Sequence, residues 1–441
     1  MKTAALKYTV LTWVSGFVMA IILLVPFHAF LTVWLSGLIG HYTAIRLWKE
    51  ALLVLCTIGT FYLLLTDSKI RIHTMTRRLV WLILAYMLLT LIWGILALNQ
   101  HDVSTKAFGY GMIVNLRYLV FFLVAWASAL RLARLRNNWA RLVYWPAIAV
   151  VVIGLLQVFV LPSDFLRHFG YGPNTISPIE TINHNRNYLR AFSTLRGANP
   201  LGAYLVIPIS LVTIWMLRRG RNWRHALFLA AAAVLLFFSF SRSAWVGAAL
   251  SVTVVLFLSR LSAKSQKIAV AVVAGLILVG AGMTVAFHRS TRFENFVFHT
   301  QKHSAVPTTS NGGHTSAIKN GLSSLAHHPL GNGPGTAGPA SVYNNHPPRI
   351  AENYYIQIGQ EVGWLGLFMF LLINAGVGYL LFLRRDDPLA LALFASLIGI
   401  TFINMLSHAW TDDTLAYVWW GLAGIAMAPV SQARDDEDEQ A

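Results

Sequence analysis

Long apolar runs separated by short clusters of Arg and Lys dominate this chain. A helix needs about 20 apolar residues to cross roughly 30 Å of hydrocarbon. Twelve stretches qualify, near residues 8–27, 47–66, 79–98, 110–130, 142–161, 199–217, 225–240, 243–259, 267–287, 351–383, 388–408 and 414–430. The mixed pattern of residues 27–48 suits a helix lying in the membrane interface better than a further crossing. Lys2 and Lys7 precede the first run, but no small-residue cleavage site follows it, so it reads as an uncleaved first helix. The expected fold is an all-α polytopic membrane protein. Residues 1–287 carry spans one to nine, with an outer loop at 162–198. A large loop fills 288–350, spans ten to twelve occupy 351–430, and an acidic tail covers 431–441.

Composition agrees with that pattern. Hydrophobic residues make up 56% of the 441 positions and charged residues only 12%, against about 25% in soluble domains, which excludes a soluble enzyme. The net charge of +17 would fit nucleic acid on a soluble chain, but here it must first be divided between two faces. With the N-terminus inside, twenty of the 34 Lys and Arg fall in short inner loops, so both termini are expected in the cytoplasm. Topology thus accounts for most of the charge, and no nucleic-acid partner is expected. The remaining arginines, thirteen of the 15 histidines and the two long hydrophilic segments all lie on the outer face, which is therefore the expected working face.

Three arginine-bearing features stand out there. The run Arg190-Ala-Phe-Ser-Thr-Leu-Arg-Gly-Ala-Asn-Pro enters span six, with Asn199-Pro200 as a good helix start whose amides can face an anion. Arg190 and Arg196 before such an end make a plausible phosphate site, although a basic collar for lipid headgroups would look the same. Ser239-Phe-Ser-Arg-Ser-Ala-Trp is the tight connection between spans seven and eight, and it places Arg242 at the membrane edge among small hydroxyl residues, where it must snorkel or pair. Arg117 lies inside span four, where an ionisable side chain marks a functional site unless Asp412 or Asp413 pairs with it.

In the large loop, Ile318, Leu322 and Leu325 recur at helical spacing, predicting a short amphipathic helix between His314 and His328 that Pro329 ends. Gly333-Pro-Gly-Thr-Ala-Gly spells G-x-G-x-x-G, but no strand precedes it, so it reads as a tight loop rather than a dinucleotide site. His299 and His303 would share a metal ion on a helix, yet no third ligand accompanies them, so no metal is assigned. Glu352 stands where polar residues of span ten line a cavity, or where a carboxylate favours a helix start.

The motifs R-A-F-S-T-L-R-G-A-N-P-L-G-A-Y-L, S-F-S-R-S-A-W, H-H-P-L-G-N-G-P-G-T and A-E-N-Y-Y-I-Q-I-G-Q-E-V-G-W-L-G, in that order between apolar spans, resemble the O-antigen ligase and polymerase superfamily. The resemblance implies a GT-C-type glycosyltransferase of the bacterial inner membrane. It would transfer a glycan from undecaprenyl pyrophosphate to a hydroxyl on the periplasmic face, inverting the anomeric centre without metal or cofactor. The acceptor is lipid A core for a ligase and another glycan for a polymerase, with membrane lipids as the surroundings. The family's pyrophosphate-binding arginines fall on Arg190 and Arg242, and Arg196 and Arg117 are further candidates from the charge pattern. Ligases typically carry His, then Asn, Ser or Gln, nine residues and Gly. Here Asn353 and Gly363 fit that spacing, but Glu352 takes the leading position. The acceptor-activating role then falls to Glu352, His314 or His346, or the protein is a polymerase or a ligase for a different acceptor. A transporter is the rival from another class, but no internal repeat is evident and the ionisable residues cluster at one face.

Overall fold

The computed structural model describes residues 2–182, 185–218, 222–259 and 310–428, with isolated positions 267, 286 and 290. Helices α1 (Lys2–Leu24), α2 (His28–Ile39), α3 (Tyr42–Arg46), α4 (Trp48–Thr66), α5 (Ser68–Met75), α6 (Arg78–Asn99), α7 (Thr105–Ala129) and α8 (Ala133–Phe159) form the first half. A hairpin of β1 (Glu180–Ile182) and β2 (Asn185–Arg190) follows, then α9 (Ala198–Arg218), α10 (Trp223–Phe238) and α11 (Arg242–Leu258). The last part holds α12 (Ser310–His327), α13 (Tyr354–Leu383), α14 (Pro388–Asn404) and α15 (Asp413–Ala426). Eleven of the twelve expected spans have a helix among these, and the other, 267–287, lies outside the described residues except for positions 267 and 286.

Among the described residues, seven helices are long and apolar enough to cross a membrane, and α10, α11 and α14 are shorter apolar helices. The chain is thus a multi-pass, mostly helical membrane protein. The segment at 27–48 forms two short helices, α2 and α3, joined to α1 by a 3-10 turn at Val25–Phe27. In the large loop, α12 covers the predicted amphipathic helix and starts four residues before His314.

Two helices organise the bundle. α9 is buried along nearly its whole length, and α15 is enclosed from Thr414 to Ala426, as expected of helices apolar on every side. α15 packs on α7, while α9 packs on α11 and α14. Where α11 crosses α14, Gly247 and Gly399 bring the backbones together so closely that a Cβ on Gly399 would stand 2.2 Å from the Gly247 carbonyl oxygen. Ser251 Oγ donates to Ala395 O at 2.8 Å beside that crossing, a small-residue contact typical of membrane helices.

Basic loops gather at one end, where Arg131 pairs with Asp67 at 2.8 Å, Arg136 with Asp387, and Arg218 donates to the Arg385 carbonyl. Arg136 and Arg384 also donate to the carbonyls of Ile425 and Ala426, the last turn of α15, where positive charge complements the helix dipole.

A buried ion-pair cluster crosses the upper half of the bundle. Arg117 of α7 reaches Glu50 at 3.0 Å and Asp413, Lys49 of α4 reaches both carboxylates at 3.0 and 3.1 Å, and His28 Nε2 lies 3.1 Å from Asp413. Two cations and two carboxylates balance. Removing one member leaves a charge uncompensated away from water, which costs about 3–5 kcal/mol. Asp413→Ala is therefore expected to lower the thermal unfolding midpoint of purified protein sharply. A midpoint equal to wild type would show that the cluster does not hold the bundle.

Candidate functional site

Arg190 and Arg242 are far apart in sequence, and the hairpin brings them together. β1 and β2 pair antiparallel with Glu180 opposite Arg190. The chain leaving β2 docks on the three-residue turn between α10 and α11, with Ala191 N donating to Phe238 O at 2.9 Å and Arg190 Nε to Ser239 O at 2.9 Å. Arg242 is the first residue of α11, immediately after that turn. Both arginines line one cavity of about 450 Å³, with Asn199, Ser241, Ser243 and His314 completing its polar side.

Glu180 is the residue the sequence reading missed. Its Oε1 accepts from Arg190 Nη1 at 2.7 Å, and its Oε2 accepts from Ala198 N at 2.8 Å at the start of α9. The anion at the α9 N-terminus is therefore the protein's own carboxylate, which also fixes the guanidinium. Arg190 Nη2 donates to Asn199 Oδ1 at 2.7 Å. Burial pulls the Arg190 guanidinium below its ordinary pKa, and the Glu180 carboxylate opposes that shift. An acid ten residues before Arg190, in an outer loop with only one other acid, Asp164, was the available signal.

Thr315 and Ser407 also line this cavity, and its apolar lining is Phe240, Val246, Ile318, Phe402 and Leu406. It sits at the ends of α10, α11 and α14, which have 16, 17 and 17 residues. At a rise of 1.5 Å per residue they span about 24–26 Å, short of the roughly 30 Å of a bilayer core. The cavity lies at their common end, with Val246 and Leu406 exposed beside it.

Glu352 and His314 meet: His314 Nδ1 contacts Glu352 Oε2. Glu352 has φ 51°, a left-handed conformation uncommon outside glycine. The two residues that follow it are anchored. Asn353 caps α13 by accepting from Ile356 N at 3.0 Å and donates to Met405 O at 2.8 Å, while Tyr354 N donates to Ser407 O at 3.1 Å. Asn353 is thus engaged in anchoring, and His346 is exposed and lines neither of the two cavities described here.

The glycine at the end of the family spacing has a structural reason. Gly363, at φ 71°, breaks α13. The carbonyls of Gln360 and Glu361 freed there accept from Asn332 N and Gly333 N, each at 2.8 Å, and Trp364 N donates to Pro329 O at 3.0 Å. The glycine-rich segment after α12 is a tight loop, as expected, and its close approach is to α13, α6 and α7. A Cβ at Gly335 would meet Ala107 O at 2.3 Å, and Glu361 anchors the loop through Gly335 N and Asn115.

Arg117 and Arg196 stand apart from Arg190 and Arg242. Arg117 belongs to the ion-pair cluster, with Asp413 as the partner foreseen for it, and donates to Thr411 O at 2.8 Å. Arg196 lies 3.7 Å from Asp412 and lines a second cavity of about 380 Å³. Asp412 caps α15 by accepting from Leu415 N. Burial raises its pKa, against the Arg196 charge. His299 and His303 lie outside the described residues, among which no group of three or more His, Cys, Asp or Glu could hold a metal ion.

Fold and cavities together define a polytopic all-α membrane protein with an arginine-lined cleft at the end opposite its basic loops. Residues 226–371 match the O-antigen ligase family, which bears out the resemblance to the O-antigen ligase and polymerase superfamily. The matched stretch includes Arg242, His314 and Glu352, whereas Arg190 precedes it. No curated protein matches the chain.

Between the cavities lies His408, also missed from sequence. Burial and the Arg196 charge push it down from 6.5 to about 4, with Glu352 opposing. The folded value is depressed, so the unfolded chain takes up the proton first and stability falls as pH drops from about 6.5 toward 4. A His408→Asn variant is expected to lose less stability than wild type between about pH 7 and 4.5. Equal pH slopes in thermal unfolding would show that His408 is not charged at a cost.

Proposed function

We propose that this protein is a glycosyltransferase that takes a glycan from undecaprenyl pyrophosphate on the periplasmic face of the bacterial inner membrane and joins it to an acceptor hydroxyl. The acceptor is lipid A core or a related glycolipid. The observation that carries this reading is the meeting of Arg190 and Arg242 in a cavity that is also lined by the apolar side chains of Phe240, Val246, Ile318, Phe402 and Leu406. A lipid-linked pyrophosphate has that combination of an anionic head and a hydrocarbon tail.

In this scheme the two guanidiniums bind phosphate oxygens in pairs and stabilise the charge that develops on the leaving pyrophosphate. Asn199, Ser241 and Ser243 supply further hydrogen-bonding groups beside them. The acceptor oxygen attacks the anomeric carbon in line, the bond to phosphate breaks, and undecaprenyl pyrophosphate leaves. The hydroxyl proton passes to Glu352, with His314 orienting that carboxylate or taking the proton itself. The pair sets a histidine beside the position where the family spacing places one, so a base and a histidine are both available despite the departure at Glu352.

A polymerase extending a polyprenyl-linked glycan would use the same cleft, and Glu352 in the leading position favours keeping that product in view. One glycan block joined to a new lipid acceptor identifies a ligase; a ladder on the polyprenyl lipid identifies a polymerase.

Arg190→Ala and Arg242→Ala, purified with the wild-type fold retained, are each expected to reduce transfer by about 100-fold or more, as loss of a charged donor to a developing anion does. Transfer at the wild-type rate by either variant would overturn the assignment of the pyrophosphate site.

A further inference from the structure

We propose that the second cavity is a carbohydrate subsite that holds a sugar of the reacting glycans while the pyrophosphate occupies the first. This rests on the donor reading above, and it assigns Tyr42, Tyr110, Tyr343, Arg46, Arg196 and Asp412 to sugar binding.

The two cavities differ in chemistry. The first has a hydrocarbon wall; the second is lined chiefly by tyrosines, charged side chains and threonines, with few apolar contributors. Its volume of about 380 Å³ lies within the range of about 300–1,000 Å³ for small-molecule sites, enough for a short saccharide and not for a polyprenyl chain. Tyrosine rings offer flat faces to the C–H face of a pyranose and a hydroxyl at the rim. Guanidinium and carboxylate groups match adjacent hydroxyls in pairs.

These groups are held in place before any ligand arrives. Tyr110 and Tyr343 pack edge to face with centroids 5.2 Å apart, Arg46 donates to the Tyr110 hydroxyl and Lys106 Nζ lies 4.5 Å from the Tyr343 ring centre. Ser104 anchors the Tyr343 backbone at 2.8 Å. The floor is the buried ion-pair cluster, through Asp413 and His28. Arg196 and Asp412 are 3.7 Å apart, too long for a tight ion pair, so each keeps hydrogen-bonding capacity toward a ligand.

Two short loops connect the cavities. From the end of β2 to the start of α9, Arg190 and Asn199 line the first and Arg196, between them in sequence, lines the second. On the segment between α14 and α15, Ser407 lines the first and Thr411 and Asp412 the second. His408 follows Ser407 directly on this segment, three residues before Thr411. A sugar joined to a phosphate in the first cavity, or an acceptor sugar attacking it, has its nearest polar enclosure in the second.

The test uses full-length protein in lipid nanodiscs and three probes: undecaprenyl pyrophosphate alone, O-polysaccharide released from its lipid, and delipidated lipopolysaccharide core, both glycans from the bacterium that carries the protein. Wild type, Tyr343→Ala, Arg196→Gln and the ring-preserving Tyr343→Phe are compared by saturation-transfer NMR and titration. Thermal unfolding confirms that each variant folds.

The expected result is that Tyr343→Ala and Arg196→Gln weaken binding of at least one glycan by about tenfold or more, that Tyr343→Phe largely retains it, and that undecaprenyl pyrophosphate binds all four alike. Loss for the O-polysaccharide identifies the donor sugar as the occupant, and loss for the core identifies the acceptor. Glycan binding unchanged in both variants, or absent from wild type that still binds undecaprenyl pyrophosphate, overturns the proposal. If instead undecaprenyl pyrophosphate does not bind, the donor reading fails, and the glycan titrations still decide the second cavity on their own.

Discussion

Charge buried in a helical membrane bundle must be paired, and the cluster of His28, Lys49, Glu50, Arg117 and Asp413 meets that requirement in a way that shapes everything above it. It ties α4, α7 and α15 together where α15 begins. Arg117 also donates to Thr411 O, so the cluster fixes the segment between α14 and α15. That segment contributes Ser407 to one cavity and Thr411 and Asp412 to the other. The geometry of both cavities therefore depends on ion pairs that touch no proposed phosphate ligand.

A second constraint comes from the outer loops. Glu180 links the hairpin to the N-terminus of α9 and to Arg190, and the same hairpin leans on the turn that starts α11. The arginine brought beside Arg242 is thus carried on a rigid strand end rather than on a free loop. Gly363 acts similarly on the other side: breaking α13 there frees two carbonyls for the loop after α12 and seats α12, which carries His314.

Much of the fold was legible because hydrophobic length is a strong signal in a membrane chain. The errors have identifiable causes. The apolar Met405 and Leu406 extend the expected span eleven to residue 408, yet the helix ends at Asn404, whose side chain accepts from Trp410 N as the chain turns back. That misplaced boundary hid His408. The hairpin was hidden by the polarity of 180–190, and with it Glu180. Arg190 and Arg242 were readable as an anion pair from their surroundings in sequence, whereas the separation of Arg196 and Arg117 into another cavity and an ion-pair cluster depends on tertiary packing that a charge pattern does not encode.

The most direct measurement is donor turnover by the purified protein in nanodiscs, without any ion gradient, given a polyprenyl-pyrophosphate-linked glycan and a lipid acceptor. The account predicts that the donor is consumed, that undecaprenyl pyrophosphate is released in equal amount, and that the glycan appears on the acceptor or on a growing chain. Donor that remains intact across a range of glycans and acceptors, in protein that is folded, would contradict it.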